Sequence, residues 1–217
     1  MIGSSVDSLT WLVLMSMLTG MLKIAGGIYR GRKLVSPPDA ALTRPWPQRV
    51  RESAFNLLRG WFEDANVLDL YAGVGSMGLE AVSRGAKSVL LVERQRAIFS
   101  LLEENIQSLD CGDRATALMG DALGQIVAVR APRPIEVVFI DPPYAFMKDD
   151  ETRQRILAHP QSLSPIMTDQ GWLVLRTPLD PSQVDHEITG FEGPEVHKYG
   201  ASMWMLLYQQ STAPQSE

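Results

Sequence analysis

Asp141-Pro142-Pro143-Tyr144 is the stretch whose residue types and spacing point to chemistry. It follows Ile135-Glu136-Val137-Val138-Phe139-Ile140, an apolar run that reads as a buried strand. A carboxylate is thus delivered at the carboxyl end of a strand. The two prolines fix φ and carry no N–H, so the loop is stiff and its carbonyls remain acceptors. Tyr144 adds a ring. Together these groups make a socket for a planar group bearing an NH2. The carboxylate and a proline carbonyl accept its two hydrogens, and the ring stacks on its face. Nucleobases with exocyclic amines have that shape. The same four residues also read as turn punctuation after a strand, so the rest of the chain has to decide.

Val67-Leu68-Asp69-Leu70-Tyr71 is a second short apolar strand, running into Ala72-Gly73-Val74-Gly75-Ser76-Met77-Gly78 before a helix. Glycines let a backbone approach a ligand closely, and a helix N-terminus is expected to present free N–H groups. Gly73-x-Gly75-x-x-Gly78 matches the dinucleotide fingerprint, a weak pattern by itself. Asp69 argues for a different ligand, because a negative charge there favours positive charge over a pyrophosphate. Ser88–Val92 is a third buried strand and ends at Glu93, placed to hold ribose hydroxyls. A weaker strand over Arg114–Met119 leads to Asp121, which either faces an adenine amine or caps a helix over Ala122–Val129.

The elements that must position these groups alternate. Helical patterns run over Gln48–Trp61, Gln95–Ser108 and Met147–His159. Gly171–Arg176 reads as a strand, and Val184–Thr189 and Ser202–Tyr208 as an antiparallel finish. Alternation predicts an α/β fold, a mostly parallel sheet with helices on both faces. In such sheets the ligand lies outside the carboxyl ends of the strands. Asp69–Gly78, Glu93, Asp121 and Asp141–Tyr144 all fall there, which turns four moderate signals into one site.

Length and composition bound the rest. The 217 residues suit one sizeable domain, and 45% hydrophobic with 21% charged residues is ordinary for a globular chain. A single cysteine, Cys111, excludes an internal disulfide and a cysteine-cluster metal site. His159, His186 and His197 lack ligand spacing, so no metal is expected. The net charge of -5 hides an asymmetry: residues 21–60 hold eight basic side chains against Asp39 and Glu52, a local +6 that leaves -11 elsewhere. That split predicts a basic front on an acidic body. Tyr29, Arg30, Arg32 and Lys33 lie in a predicted β-hairpin over 22–35, as a phosphate-contacting arm or as a charged edge that discourages strand pairing. Arg44 and Arg49 follow, with Arg51, which cannot share a helix face squarely with Arg49. The apolar run Leu9–Leu22 is shorter than the roughly 20 residues of a membrane span. Its leading segment has no basic residue, unlike a signal peptide. The expected layout is an extension over 1–20 with Met21 as an alternative start, a basic hairpin and helix over 21–61, a catalytic domain over 62–209 and a polar tail over 210–217.

The constellation resembles the class I S-adenosylmethionine-dependent methyltransferases that act on amino groups. More narrowly, Ile24–Leu34, Thr43-Arg44-Pro45, Arg49-Val50-Arg51-Glu52, Leu68–Gly73, Gly78–Ala81 and Asp141–Tyr144 are similar to the RsmD family of bacterial 16S rRNA guanine-N2 methyltransferases. The resemblance spans roughly Met21 to Tyr208. It implies a Rossmann-like fold with a seven-stranded sheet, preceded by a β-hairpin and helix. It implies S-adenosylmethionine as cofactor, held by Asp69, Tyr71, Ala72, Gly73 and Gly75 at the amino-acid end, by Glu93 and Arg94, and by Asp121 and Ala122 at the adenine. Asp141, Pro142, Pro143 and Tyr144 become the catalytic residues, and Arg30, Arg32, Lys33, Arg44, Arg49 and Arg51 the RNA contacts. The implied partner is 16S rRNA or the assembling small ribosomal subunit, at guanine-966, for a cytoplasmic monomer with no membrane attachment. Departures are Val74 between the loop glycines, the extension before Met21, and Trp46 where the family usually has threonine. Trp46 replaces a hydroxyl suited to an RNA contact with a large ring.

Three other readings make different demands. A DNA or RNA adenine-N6 methyltransferase would use the same socket. A nicotinamide-dependent oxidoreductase would explain the glycine loop and Glu93 but leave Asp69 and the socket idle. A non-catalytic RNA-binding assembly module would have no use for Asp141 and Tyr144.

Overall fold

The computed structural model describes residues 22–37 and 45–211. The extension over 1–20, Met21, Thr43, Arg44 and the end of the tail from 212 lie outside the described residues. Seven strands are β1 (Asn66–Leu70), β2 (Ser88–Glu93), β3 (Ala115–Met119), β4 (Ile135–Ile140), β5 (Met167–Thr177), β6 (Phe191–Tyr199) and β7 (Met203–Gln210). Six α-helices among the described residues are α1 (Gln48–Leu57), α2 (Gly78–Ser83), α3 (Arg96–Leu109), α4 (Gln125–Arg130), α5 (Tyr144–Lys148) and α6 (Asp150–Leu163). The strands form one sheet in the order β3-β2-β1-β4-β5-β7-β6. The first five are mutually parallel, and β7 runs antiparallel between β5 and β6.

The central strands are apolar on both faces because helices cover both. Successive strand side chains point to opposite sides. Val67, Val89, Leu91, Val137 and Phe139 therefore pack with Phe55 of α1, Leu79 of α2 and Leu102 of α3. Leu68, Leu70, Leu90, Val138 and Ile140 pack on the other face with Val127 of α4 and Ile156 and Leu157 of α6. The N-terminal segment is part of the first layer: Ile24, Leu34 and Trp46 belong to the same core as the sheet. Phe62 joins α1 to β4, 4.5 Å from the Phe55 ring and 6.2 Å from that of Phe139.

Several boundaries differ from the sequence reading. The hairpin over 22–35 reduces to one antiparallel bridge, Lys23 to Lys33, around a turn. Side chains of the helix layer hold it in place. Glu80 accepts the N–H of Ala25 and of Gly26, at 2.7 and 2.8 Å, and Asn105 both accepts from and donates to the Val35 backbone. Helix α1 stops at Leu57 rather than Trp61. The charged stretch after Tyr144 is two helices, split where Asp149 caps α6 by accepting the Thr152 N–H at 2.9 Å. Val184–Thr189 forms no strand. The outer strand is instead β6, whose mostly exposed side chains give it little apolar signal.

Candidate active site

Strand order and register bring the separate sequence signals to one edge. Leu70 is in register with Val92 of β2 and Ile140 of β4, Glu93 with Met119 of β3, and Ile140 with Leu175 of β5. The residues at and just beyond these strand ends form a row: Asp121, Glu93, Tyr71 to Gly73, Asp141 and Arg176. With neighbouring strands about 4.8 Å apart, the row spans about 19 Å.

The glycine loop after β1 is tied down by carboxylates. Asp69, only 1% exposed, accepts the Gly78 N–H through Oδ2 at 2.8 Å. The expectation that this helix start presents free N–H groups is corrected: α2 has six residues and its first N–H is taken by Asp69. Burial lifts the Asp69 carboxyl to about 8; the Gly78 N–H opposes this, and the charges of Asp141 and Glu93 add to it. Glu93 accepts the Gly73 N–H at 3.1 Å and, through its other oxygen, the Gln95 N–H at 2.6 Å. Gly73 has φ +57°, and a Cβ there would meet nothing within 4 Å, so the loop opens onto free space. Tyr71 adopts φ +62°, a conformation that bulky residues rarely hold and that accompanies functional turns.

At the β3 end, Asp121 is exposed and its Oδ1 accepts the Leu123 N–H at 3.0 Å. It closes a local turn instead of capping α4, which begins at Gln125. Ala122 is buried beneath it. The rings of Tyr71 and Phe146 meet edge to face at 6.5 Å, and the Arg94 guanidinium lies 5.7 Å over Phe146. Burial pushes the Tyr71 hydroxyl up, the Asp121 charge adds to this, and Arg155 and Arg94 oppose it.

At the β4 end stands the socket. Pro142 is buried, Pro143 exposed and Tyr144 half-buried at the start of α5. Asp141 Oδ1 accepts from Arg176 Nε at 2.6 Å. Burial raises the Asp141 carboxyl and Arg176 opposes this most strongly. The Trp46 indole N–H also lowers it, lying near the carboxylate without the geometry of a full hydrogen bond. Arg176 was legible in the sequence only as the end of a strand, and Trp46 only as a departure from a motif. A charged residue closing the apolar run Leu173–Leu175 was the available signal; its partner depended on strand order.

The basic residues separate into two kinds. Arg30, Arg32, Lys33 and Arg49 are exposed, with Arg32 also donating to the Ser108 carbonyl at the end of α3. Arg51 is 1% exposed, and its guanidinium donates to the backbone carbonyls of Trp46 and Lys23. Its assignment as an RNA contact is corrected: the helix turns it into the core, where it joins the hairpin to the segment before α1. Among the described residues no group of three or more His, Cys, Asp or Glu is arranged to hold a metal ion, and no helix is long and apolar enough to cross a membrane.

A sheet of this order, with a glycine loop after β1 and an Asp-Pro-Pro-Tyr turn after β4, has the class I methyltransferase fold. Among solved structures, a protein of Escherichia coli provisionally described as methyltransferase yhhF superposes with a TM-score of 0.72 at 28% identity, covering 88% of this chain and 99% of that one. The chain belongs to the family described as conserved hypothetical protein 95, the RsmD family, whose profile matches residues 22–208. The ribosomal RNA small subunit methyltransferase D of Escherichia coli (strain K12) is 37% identical over 155 residues, 71% of each chain. Its counterpart in Haemophilus influenzae is 30% identical over 170 residues, 72% of this chain and 88% of that one.

Proposed function

We propose that the protein transfers the methyl group of S-adenosylmethionine to the exocyclic N2 of a guanine in 16S rRNA, in the cytoplasm, as a monomer acting on free rRNA or on the assembling small subunit. The observation that carries this reading is the Asp141 carboxylate at the end of β4, with Tyr144 beside it, next to a glycine loop ringed by carboxylates. The names of the rRNA methyltransferase relatives support ribosomal RNA as the substrate.

The residues present fit the cofactor. Asp69, Glu93 and Asp141 are close enough that the latter two raise the first, an arrangement that a cation relieves. The space over Gly73 admits a ligand against the loop backbone, and Glu93 and Asp121 lie where ribose and base would follow. Tyr71, Ala72, Gly75, Arg94 and Ala122 complete the proposed cofactor site. The cofactor supplies an electrophilic methyl group on a sulfonium.

The chain's own residues do the rest. A target guanine is drawn out of its stack at a cost of a few kcal/mol, and stacking on Tyr144 returns about 1–3 kcal/mol. Asp141 and the Pro142 carbonyl accept the hydrogens of N2, whose lone pair is otherwise shared with the ring. These bonds favour a more tetrahedral nitrogen, and Asp141 is placed to take the proton. Positioning supplies much of the rate. Exposed Arg30, Arg32, Lys33 and Arg49, with Arg44 from outside the described residues, form the RNA-docking front.

The test is transfer of labelled methyl to undermodified small subunits and to their free rRNA, mapped by nuclease digestion, with Asp141→Ala as control. Label on one guanine N2, lost in a variant that still binds S-adenosylmethionine, is the expected result. Normal turnover by Asp141→Ala overturns the socket assignment. Label on adenine N6 of DNA or RNA redirects the substrate, and cofactor binding without transfer to any nucleic acid leaves a binding module.

A further inference from the structure

Arg176 ends the apolar run of β5 and belongs to none of the motifs that carry chemistry in the sequence. Ile140 and Leu175 are register partners across β4 and β5, so the next residue on each strand, Asp141 and Arg176, emerge side by side. Their side chains meet at 2.6 Å, 6% and 13% exposed for Arg176 and Asp141. The guanidinium also lies over two rings, 5.3 Å from the centroid of Trp46 and 5.6 Å from that of Tyr144. Trp46 is itself 1% exposed, and its carbonyl accepts from buried Arg51. A planar cation packed on rings and bonded to a carboxylate loses little freedom on pairing.

We propose that Arg176 is a positioning residue for methyl transfer: packed by Trp46 and Tyr144, it fixes the Asp141 carboxylate in the socket and keeps it the acceptor that an exocyclic amine requires. The proposal rests on the function proposed above. A protonated Asp141 would present an O–H to an NH2 group, a donor facing donors. The groups around Asp141 divide on this point. Burial of the site favours the neutral form, whereas Arg176 on β5 and the Trp46 indole favour the carboxylate, and the Asp141 charge in turn raises Asp69 on β1. Arg176 is the only cation in direct ionic contact with Asp141 among the described residues. Bonding one carboxylate oxygen also sets the plane in which the other lies, so charge and direction come from the same contact.

The experiment compares wild type, Arg176→Gln and Arg176→Lys. Glutamine keeps much of the length and a donor but loses the charge; lysine keeps the charge. Two readouts are taken against pH: the single-turnover rate of methyl transfer at saturating S-adenosylmethionine, and the titration of the Asp141 side chain by carbon NMR, assigned by difference from Asp141→Asn. In Arg176→Gln both the acid limb of the rate and the Asp141 titration are expected to move upward by about one pH unit or more. Arg176→Lys is expected to restore most of that shift, and cofactor affinity to stay within about twofold in both variants. A rate that falls equally at every pH with an unmoved limb, or a lysine variant no better than glutamine, overturns the proposal in favour of a structural ion pair. An Asp141 titration indifferent to Arg176 overturns it whatever the rate does. If wild type methylates no nucleic acid while the titration still moves with Arg176, the proposed function fails and the control of Asp141 stands. Should neither variant fold, wild type alone decides: an acid limb that departs from the Asp141 titration overturns the proposal, and coincidence supports it.

Discussion

Arg51 donates through Nη1 to the carbonyl of Trp46 at 3.1 Å. Its other terminal nitrogen donates to the carbonyl of Lys23 in the hairpin. One buried guanidinium thus fastens the hairpin and the ring beside Asp141 to the same helix. Burial pulls the Arg51 pKa down, and Glu80 and Glu52 oppose this. Removing the side chain leaves two carbonyls unpaired beside a cavity. Arg51→Ala is therefore expected to lose roughly 2–4 kcal/mol of stability, read from urea denaturation. A variant as stable as wild type would contradict the packing role.

The salt dependence of RNA binding is expected to separate that inward arginine from the exposed ones proposed as the RNA front. In Arg30→Ala with Lys33→Ala the slope of log affinity against log salt is expected to shallow by about one per lost phosphate contact. A folded Arg51 variant such as Arg51→Lys is expected to keep the wild-type slope. Equal slopes in all three proteins would move the RNA front elsewhere.

Gly27 meets helix α2 where no side chain fits. Its φ is +73°, and a Cβ there would fall 1.8 Å from the Ser83 carbonyl oxygen. The adjacent Ile28 N–H donates to that same oxygen at 2.8 Å. Gly27→Ala is expected to lift the hairpin from α2, weakening RNA binding on the order of tenfold or more, about 1.4 kcal/mol. Cofactor affinity should change far less, because Gly73 and Glu93 lie on another part of the site. Titration calorimetry with each ligand reads the two effects separately, and parallel losses would argue against a local change.

Asp69 carries a pH dependence with a definite sign. Its carboxyl rises from 3.8 to about 8 on folding, chiefly through burial. Between those values the folded chain holds a proton that the unfolded chain has released. Stability should therefore fall as pH rises across the window, with the loss complete above about 8. Asp69→Asn keeps an acceptor for the Gly78 N–H and removes the titration. Its stability should lack that component of the slope, and above about pH 8, where the wild-type carboxylate is charged, its affinity for cationic S-adenosylmethionine should fall on the order of tenfold below wild type. An unchanged pH slope in the variant would remove Asp69 as its source.

The parts of this protein legible in the sequence are those set by local chemistry. Apolar runs over Val67–Tyr71, Ser88–Val92 and Ile135–Ile140 declared buried strands because only a covered sheet accommodates them. The glycines after β1 and the prolines after β4 declared turns because their backbones permit little else. Glu93, Asp121 and Asp141 could be placed at strand ends because each follows a run whose apolar residues mark a strand. Strand β6 escaped, because an edge strand is exposed and carries no clear apolar alternation. The break at Asp149 escaped because a charged helical stretch looks continuous until its cap is seen.

What only the tertiary structure decided is which of these groups face one another. Arg176 lies 35 residues from Asp141, and its role follows from β5 lying beside β4 in a register that no local pattern encodes. Arg49 and Arg51 are alike in composition and two positions apart, yet one is exposed and the other buried, because the sheet and hairpin choose the face of α1 that turns inward. Trp46 looked like a lost hydroxyl and is a wall against which a cation packs. Side-chain chemistry is written residue by residue, whereas direction and pairing arise when strands align and helices cover them, so the sequence named the reactive groups and the fold gave them partners.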